Sequence, residues 1–150
     1  MADVDLQRFI DAQRDTFDHA LDEIEEGRKS THWMWFVFPQ VTGLGLSPTS
    51  VRYAIRSVAE AKAFMDHPIL GERYRRIVDA VWKQVVERGV TVHDLFGSPD
   101  DAKLVSSLTL FGGIAGKSNF GIEAGQILEA AYTQGLRRCT TTEQFLPTTV

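Results

Sequence analysis

The chain has 150 residues and a formal net charge of −4, so we predict a single domain over residues 1–150, with a core over about 5–134 and a loose tail over 140–150. The negative charge argues against nucleic acid and against an anionic membrane surface as partners, because both require basic surface. The only cysteine, Cys139, excludes an intrachain disulfide. With an acidic amino terminus and no apolar run of about 20 residues, the sequence predicts a soluble, cytoplasmic protein.

The first predicted element is a long amphipathic helix between Asp5 and Arg28. Apolar residues recur there at helical spacing, and Gly27 is typical of a helix end. Asp and Glu residues cover the opposite face, so one side of the helix is predicted to face the core and the other to face water.

An aromatic segment, THWMWFVFPQVTGLGLSPTS, occupies residues 31–50. It lacks helical periodicity, so we predict an extended stretch that leads into a Gly-rich loop. In an extended chain Trp33 and Trp35 share one face, and Phe36 and Phe38 share the other. We expect the two phenylalanines to lie in the core. For the two tryptophans the sequence leaves core and pocket wall as equal alternatives.

Four further helices are predicted, over about residues 57–67, 68–88, 98–111 and 120–134. The first begins with the capping pair Ser57 and Glu60. Glycines indicate where two of them end, at Gly89 and at the Gly112–Gly113 pair. The predicted fold class is mainly α, a single domain of about five helices with one irregular aromatic and Gly-rich loop region.

Catalytic and metal-binding motifs are missing from the sequence. The four histidines are scattered and one cysteine cannot complete a structural zinc set, so no metal and no cofactor are predicted. His32 is the one weak catalytic candidate, because it lies beside four aromatic residues and histidine changes charge near neutral pH. The alternative is a hydrogen-bonded histidine at the edge of the core.

The helix predicted to begin at residue 98 carries polar residues in an otherwise apolar stretch. Lys103 and Ser107 are four residues apart, so they share a helix face and can hold an anion together. Ser106 and Thr109 add further hydroxyl groups. The alternative is a partly solvated helix face.

Four segments are distinctive: HWMWFVFPQVTGLGLSPTS from His32, YAI from Tyr53, EAKAFMDHPILGER from Glu60, and LFGSPDDAKLVSSLTLF from Leu95. Together they resemble the family catalogued as domain of unknown function 1810, over about residues 5–133. The resemblance implies a mainly helical, single-domain fold. It implies no activity, because that family has no established function.

A fainter similarity links the chain to ADP-ribose-processing proteins, which also have an aromatic segment followed by a Tyr-bearing turn into helices. Their motif carries Glu-His before its aromatic residue, whereas this chain has Val51–Arg52. The similarity therefore implies a ligand class and argues against glycosidic hydrolysis.

The distinctive segments contain more polar and aromatic residues than a helical core requires. We predict that they converge on one pocket, and the candidate residues are His32, Trp33, Trp35, Gln40, Ser50, Tyr53, Lys103, Ser106, Ser107 and Thr109. The leading hypothesis is a site for a nucleotide-like or ADP-ribose-like small molecule, with a tryptophan stacked on its base. The alternative is a protein-interaction module that uses exposed aromatic residues, without catalysis. The sequence decides neither the oligomeric state nor whether the protein is an enzyme.

Overall fold

Ten α-helices and one π-helical turn make up the regular structure of residues 5–147, which is the part of the chain that the computed structural model describes. The helices are α1 (Gln7–Gln13), α2 (Phe17–Glu26), α3 (Met34–Val37), α4 (Pro48–Arg52), α5 (Val58–Asp66), α6 (Leu70–Trp82), α7 (Val92–Phe96), α8 (Asp100–Ala115), α9 (Asn119–Thr133) and α10 (Thr140–Phe145). The π-helical turn, Lys83–Glu87, continues α6. The mainly helical fold is thus confirmed. The prediction of about five helices was wrong, because helices of one or two turns are too short to show periodicity in the sequence.

The long amino-terminal helix of the prediction is in fact two helices, α1 and α2, separated by residues 14–16. The break lets α1 pack against α3 while α2 packs against α6. Arg8 holds α1 in place, because its guanidinium donates to the Ala54 carbonyl at 2.9 Å and to the Glu60 carboxylate at 3.1 Å. A straight helix would keep only one of these two packing arrangements.

Helix α8 lies at the centre of the molecule and packs against α3, α5, α7, α9 and α10. A cluster of aromatic rings fills the core beside it. The rings of Tyr74 and Phe111 have centroids 4.7 Å apart, and Phe64 lies 5.1 Å from Phe111. Contacts of this kind are favourable beyond the apolar area that they bury.

The Gly112–Gly113 pair does not end α8, which continues to Ala115. A Cβ atom at Gly112 would lie 3.1 Å from the Cβ of Ala124 in α9, and one at Gly113 would lie 2.6 Å from Leu146. The two glycines therefore permit the close approach of α9 and of the carboxyl-terminal segment. The expected chain break was wrong, because tertiary packing outweighs the low helix propensity of glycine.

The tail that was expected to be loose forms α10, which packs against α8. Thr142 in this helix is fully buried. The last positions of the predicted tail, residues 148–150, lie outside the described residues. Within residues 5–147, no helix has the length and apolarity needed to span a membrane.

The loop between α3 and α5 is closed by main-chain hydrogen bonds. The Ile55 N–H donates to the Gln40 carbonyl at 2.8 Å, and the Thr42 N–H donates to the Ile55 carbonyl at 2.9 Å. Between these points the chain turns at Gly43, whose φ of 93° favours glycine. This closure places Gln40 against the first turns of α8.

Candidate functional site

Trp33 is a core residue that a carboxylate holds in place. Its side chain is 1% exposed, and its indole Nε1 donates to Glu23 Oε1 at 2.9 Å. The same carboxylate accepts from the Ser30 and Thr31 N–H groups at 2.8 and 3.0 Å, and from the Thr31 hydroxyl at 2.5 Å. Burial alone would raise the pKa of Glu23, but these hydrogen bonds lower it to about 2. The structure therefore places Trp33 in an anchor of the aromatic segment.

Trp35 lies at the edge of the core because residues 34–37 form the helical turn α3 and not the extended stretch that we predicted. In a helix successive side chains are rotated by about 100°, so neighbours two apart point in different directions. Trp33 and Phe38 are buried, whereas Trp35 and Phe36 are partly exposed. The predicted division into a tryptophan face and a phenylalanine face is corrected accordingly.

An ion-pair chain fixes a lysine beside Trp35. The Lys103 ammonium lies 4.0 Å from the Trp35 ring centroid, a cation–π contact, and 3.1 Å from Asp100 Oδ1. The other carboxylate oxygen, Asp100 Oδ2, lies 2.7 Å from the Lys29 ammonium. Burial acts to raise the pKa of Asp100, but the two lysines outweigh it and hold that pKa below its ordinary value. Asp100 is therefore ionised at neutral pH and positions both cations.

A cavity of about 370 Å³ opens beside Trp35 and Lys103. Its walls are the first turns of α8, the chain that follows α3, and the connection between α9 and α10. We call it the Trp35 cavity, and its lining residues are Trp35, Gln40, Leu44, Pro99, Ala102, Lys103, Ser106, Arg137, Arg138 and Cys139. Four of the ten predicted site residues share this concavity: Trp35, Gln40, Lys103 and Ser106.

Gln40 is the one lining residue with a buried polar atom that lacks a partner. The residue is 9% exposed, and its side-chain Nε2 has no hydrogen-bond partner among the described residues. An unpaired buried amide costs about 1–3 kcal/mol. The Nε2 atom itself is buried, so the amide would have to turn towards the cavity to meet a polar ligand there.

Positive charge dominates around the Trp35 cavity in a chain whose net charge is negative. Arg137 has no ion-pair partner within residues 5–147, and Arg138 lies 3.5 Å from Glu143 with both side chains largely exposed. Lys103 and Lys29 share the single carboxylate of Asp100. Of these cations, Lys103, Arg137 and Arg138 line the cavity, whereas no aspartate or glutamate does, and this excess favours an anionic ligand.

Three polar side chains form a hydrogen-bonded chain at the back of the cavity. The Ser106 and Thr142 hydroxyl oxygens are 3.1 Å apart, and the Cys139 Sγ lies 3.0 Å from the Thr142 hydroxyl. Ser106 and Thr142 are buried, while Cys139 is partly exposed and lines the cavity. The two hydroxyls can therefore relay hydrogen bonds towards the sulfur atom.

Several predicted residues lie outside the Trp35 cavity. Ser107 is fully buried, and its hydroxyl lies 2.7 Å from the Tyr74 hydroxyl; burial raises the pKa of Tyr74 well above its ordinary value. The Thr109 hydroxyl donates to the Val105 carbonyl of its own helix at 2.7 Å. His32 is exposed on the surface. Helical spacing put Lys103 and Ser107 on one face, but only Lys103 lies in the cavity wall.

Ser50 and Tyr53 line a neighbouring cavity of about 20 Å³, which also touches Trp35 and Gln40. That volume corresponds to a single water molecule, so this cavity is too small for a nucleotide. The Ser50 hydroxyl donates to the Ser47 carbonyl at 2.8 Å at the start of α4. These two residues support the wall that carries Gln40.

Sequence reasoning missed the residues that follow α9. Arg137, Arg138 and Cys139 line the Trp35 cavity, although they are about a hundred positions away from Trp35. The only available signal was a pair of adjacent arginines in an acidic chain. Nothing local to these residues indicates that they approach α8.

Two other groups of titratable residues lie elsewhere. Glu123 shares a hydrogen bond with Asp79; burial and the adjacent carboxylate raise the pKa of Glu123 to about 7. His93 Nδ1 lies 3.0 Å from Asp101 Oδ2, with the imidazole largely exposed. Neither group faces the Trp35 cavity. Among residues 5–147, no cluster of three His, Cys, Asp or Glu side chains is arranged to hold a metal ion.

Comparisons with known proteins agree with this architecture. A family model described as "Protein of unknown function (DUF1810)" matches residues 3–146, which confirms the family resemblance. The chain is also similar to a solved structure, the conserved hypothetical protein Rv1873 from Mycobacterium tuberculosis, at 39% sequence identity. That similarity has a TM-score of 0.84 and covers 97% of this chain and 99% of the other. No curated protein matches the chain.

Proposed function

The chain belongs to the DUF1810 family of proteins of unknown function, and from its geometry we propose that the Trp35 cavity binds a small, anionic, nucleotide-like molecule. The observation that carries this proposal is the convergence of an indole, a buried unpaired amide and three cationic side chains in one concavity. These groups come from Trp35, Gln40, Lys103, Arg137 and Arg138. Most buried polar side-chain atoms are hydrogen-bonded, so the unpaired amide supports a polar occupant.

The volume of the cavity narrows the ligand class. About 370 Å³ lies near the lower limit of the roughly 300–1,000 Å³ that is usual for small-molecule pockets. A mononucleotide suits this size better than the longer ADP-ribose. We therefore propose a ligand with one planar ring and one phosphate or similar anion.

The chemistry of the lining residues supports stacking and charge recognition. The Lys103 ammonium lies over one face of the Trp35 ring, so a base would stack on the other face or displace the ammonium towards its phosphate. Such stacking contributes about 1–3 kcal/mol. Arg137 can form a bidentate pair with a phosphate. Gln40 can donate its unpaired N–H to the ligand once the buried amide turns towards the cavity.

The proposed activity is binding and not catalysis. None of the ten lining residues is a histidine, an aspartate or a glutamate, so the cavity offers no ordinary general base. His32, the weak catalytic candidate, is exposed and does not line the cavity.

One observation favours the alternative of a protein-interaction module. Leu46 is 94% exposed, and Leu44 and Val51 in the same loop region are also exposed. The alternative requires exposed tryptophans on this surface. Trp33 is buried and Trp35 lies in the cavity wall, so neither meets that requirement. We therefore rank the alternative second.

Calorimetric titration and thermal shift with AMP, GMP, UMP, NAD and ADP-ribose test the proposal. A ligand at 100 times its Kd stabilises the protein by about 2.7 kcal/mol, which raises the Tm by about 5–10 °C for a chain of this length. Trp35→Ala and Arg137→Gln should each weaken binding by about tenfold or more. Trp82→Ala is the matched control, since Trp82 is also partly buried but its indole contacts Gln126. No stabilisation by any of these compounds would overturn the proposal.

A further inference from the structure

A second polar cavity, of about 560 Å³, lies between the segment that follows α2 and helix α7. We call it the His93 cavity, and its lining residues include Arg28, Lys29, His93, Asp94 and Gly97. We propose that it is a phosphorylation site, in which His93 Nε2 accepts a phosphoryl group from a small donor and Arg28 binds the phosphoryl oxygens. The inference goes beyond the proposed function, since this cavity shares no lining residue with the Trp35 cavity.

A buried carboxylate orients the His93 ring. Asp101 is 5% exposed, its Oδ1 accepts the Ala102 N–H at 2.7 Å, and its Oδ2 lies 3.0 Å from His93 Nδ1. A carboxylate can only accept, so Nδ1 carries the hydrogen of this bond. The lone pair of the neutral ring is therefore on Nε2, which has no hydrogen-bond partner among the described residues. A carboxylate on Nδ1 fixes the tautomer in this way in nucleophilic and general-base histidine sites.

Main-chain hydrogen bonds hold this pair across the corner between α7 and α8. The Gly97 N–H donates to the His93 carbonyl at 2.7 Å, and the Gly97 carbonyl accepts the Asp101 N–H at 2.8 Å. Gly97 has a φ of 74° and a ψ of 170°, a conformation that is essentially restricted to glycine. The Lys29 N–H donates to the Leu95 carbonyl at 2.7 Å, which fixes the segment after α2 against α7.

Arg28 supplies a cation for the phosphoryl oxygens. Its side chain is exposed at the cavity, and its guanidinium has no hydrogen-bond or ion-pair partner among residues 5–147. A guanidinium can pair with two phosphate oxygens at once. The Lys29 ammonium is neutralised, because it lies 2.7 Å from the Asp100 carboxylate. The Asp94 carboxylate also lines the cavity and opposes an anion there, so its removal should favour the modification.

The other three histidines lack this arrangement and are internal controls. His67 Nδ1 accepts two main-chain N–H groups at 3.1 and 3.3 Å, so its ring has the opposite tautomer when neutral. His19 and His32 are exposed, and neither has a carboxylate partner among the described residues. Exposure alone would therefore favour His19 and His32, whereas an oriented ring favours His93.

The step balances with phosphoramidate as the donor. The Nε2 lone pair attacks phosphorus, the bond between phosphorus and the protonated nitrogen of the donor breaks, and ammonia leaves with that electron pair. The ring keeps its Nδ1 hydrogen and becomes a cation, and the Asp101 carboxylate balances the new charge. Attack by water on phosphorus later releases phosphate and restores the neutral ring.

Phosphoramidate is also the probe. The folded protein and the protein unfolded in urea are treated with it, and phosphorus NMR with mass spectrometry under alkaline conditions locates the product. We expect one phosphoryl group on the folded protein, on His93 Nε2 and absent from His93→Asn, whereas all histidines react in urea. A product on His93 Nδ1, or equal reaction of His19 or His32 in the folded protein, would overturn the inference.

Variants then distinguish an oriented ring from an accessible one. Asp101→Asn should slow the reaction by about tenfold or more, because its amide can donate to Nδ1 and stabilise the tautomer with a hydrogen on Nε2. Arg28→Gln should slow it by about threefold and Asp94→Asn should accelerate it by about as much. Arg56→Gln is the control, since Arg56 is exposed and lies outside the cavity. Equal rates for all folded variants would contradict the proposal, and AMP binding should not change after phosphorylation.

Discussion

Trp33 and Trp35 are two residues apart, and each lies beside a lysine, yet their surroundings differ. The Lys29 ammonium is 4.8 Å from the Trp33 ring and the Lys103 ammonium is 4.0 Å from the Trp35 ring. Trp33 is buried and its indole N–H is bound by Glu23. Trp35 is partly exposed, and the described residues provide no hydrogen-bond partner for its indole N–H. The indole N–H of Trp33 thus has a hydrogen-bond partner, whereas that of Trp35 has none among the described residues.

The difference supports a structural role for Trp33 and the binding role that we propose for Trp35. Around Trp33 one carboxylate accepts from several donors, so a ligand would find no group to bind. Around Trp35 the Gln40 amide is unpaired and Arg137 has no ion-pair partner among residues 5–147. Aromatic identity alone therefore does not indicate a binding wall; the hydrogen-bonding state of its neighbours does.

Replacing each tryptophan by alanine should give the largest difference in the free energy of unfolding. Trp33→Ala removes a fully buried side chain and should lower the free energy of unfolding by about 3–5 kcal/mol, whereas Trp35→Ala should lower it by about 1 kcal/mol or less, as expected for a partly exposed residue. Urea denaturation of both variants checks this. Equal losses for the two variants would break the distinction between core and cavity wall.

Removal of the Glu23 charge should have the next largest effect. Glu23→Gln should cost about 2–3 kcal/mol at pH 7, because buried donors lose a charged acceptor. Glu26→Gln, an exposed neighbour in the same helix, is the control and should change little. Denaturation curves of both variants measure the difference.

The pH dependence follows from the depressed pKa of Glu23. This pKa is about 2, below its ordinary value of 4.5, so the folded state holds the ionised form more strongly than the unfolded state does. The stabilisation is fully present above about pH 4.5 and is lost as the pH falls towards 2. Glu23→Gln should lose less stability than the parent protein across that window. If Glu23→Gln and the parent protein lose the same stability between pH 4.5 and 2, other carboxylates determine the acid sensitivity.

Substitution of Gln40 should have the smallest effect on stability and a clear effect on binding. Gln40→Met removes an unpaired buried amide, so the unfolding free energy should change by about 1 kcal/mol at most, in the stabilising direction, while the affinity for AMP falls about tenfold. Gln13→Met is the matched control, because the Gln13 amide is also buried but donates to the Phe36 carbonyl at 2.7 Å. The control should lose about 1–3 kcal/mol. A similar loss at Gln40 would mean that its amide has a structural partner.

Short-range signals determined much of the helical framework. Ser57 accepts from the Glu60 N–H at 3.0 Å at the start of α5, as the capping pair predicts. Gly27 ends α2 with a φ of 95°, and Gly89, with a φ of 74°, follows the π-helical turn that continues α6. Even there tertiary contacts changed the detail, since the Glu60 carboxylate accepts from the Arg56 N–H and from Arg8.

The sequence by itself determined the helical class and several ends of the longer helices, because caps, glycines and apolar periodicity act over a few residues. Only the tertiary structure decided which residues meet. It turned residues 34–37 into a helical turn, buried Trp33 and Ser107, and brought Arg137 and Cys139 to the cavity wall. Those outcomes depend on packing between segments that are distant in the chain, for which no local pattern exists.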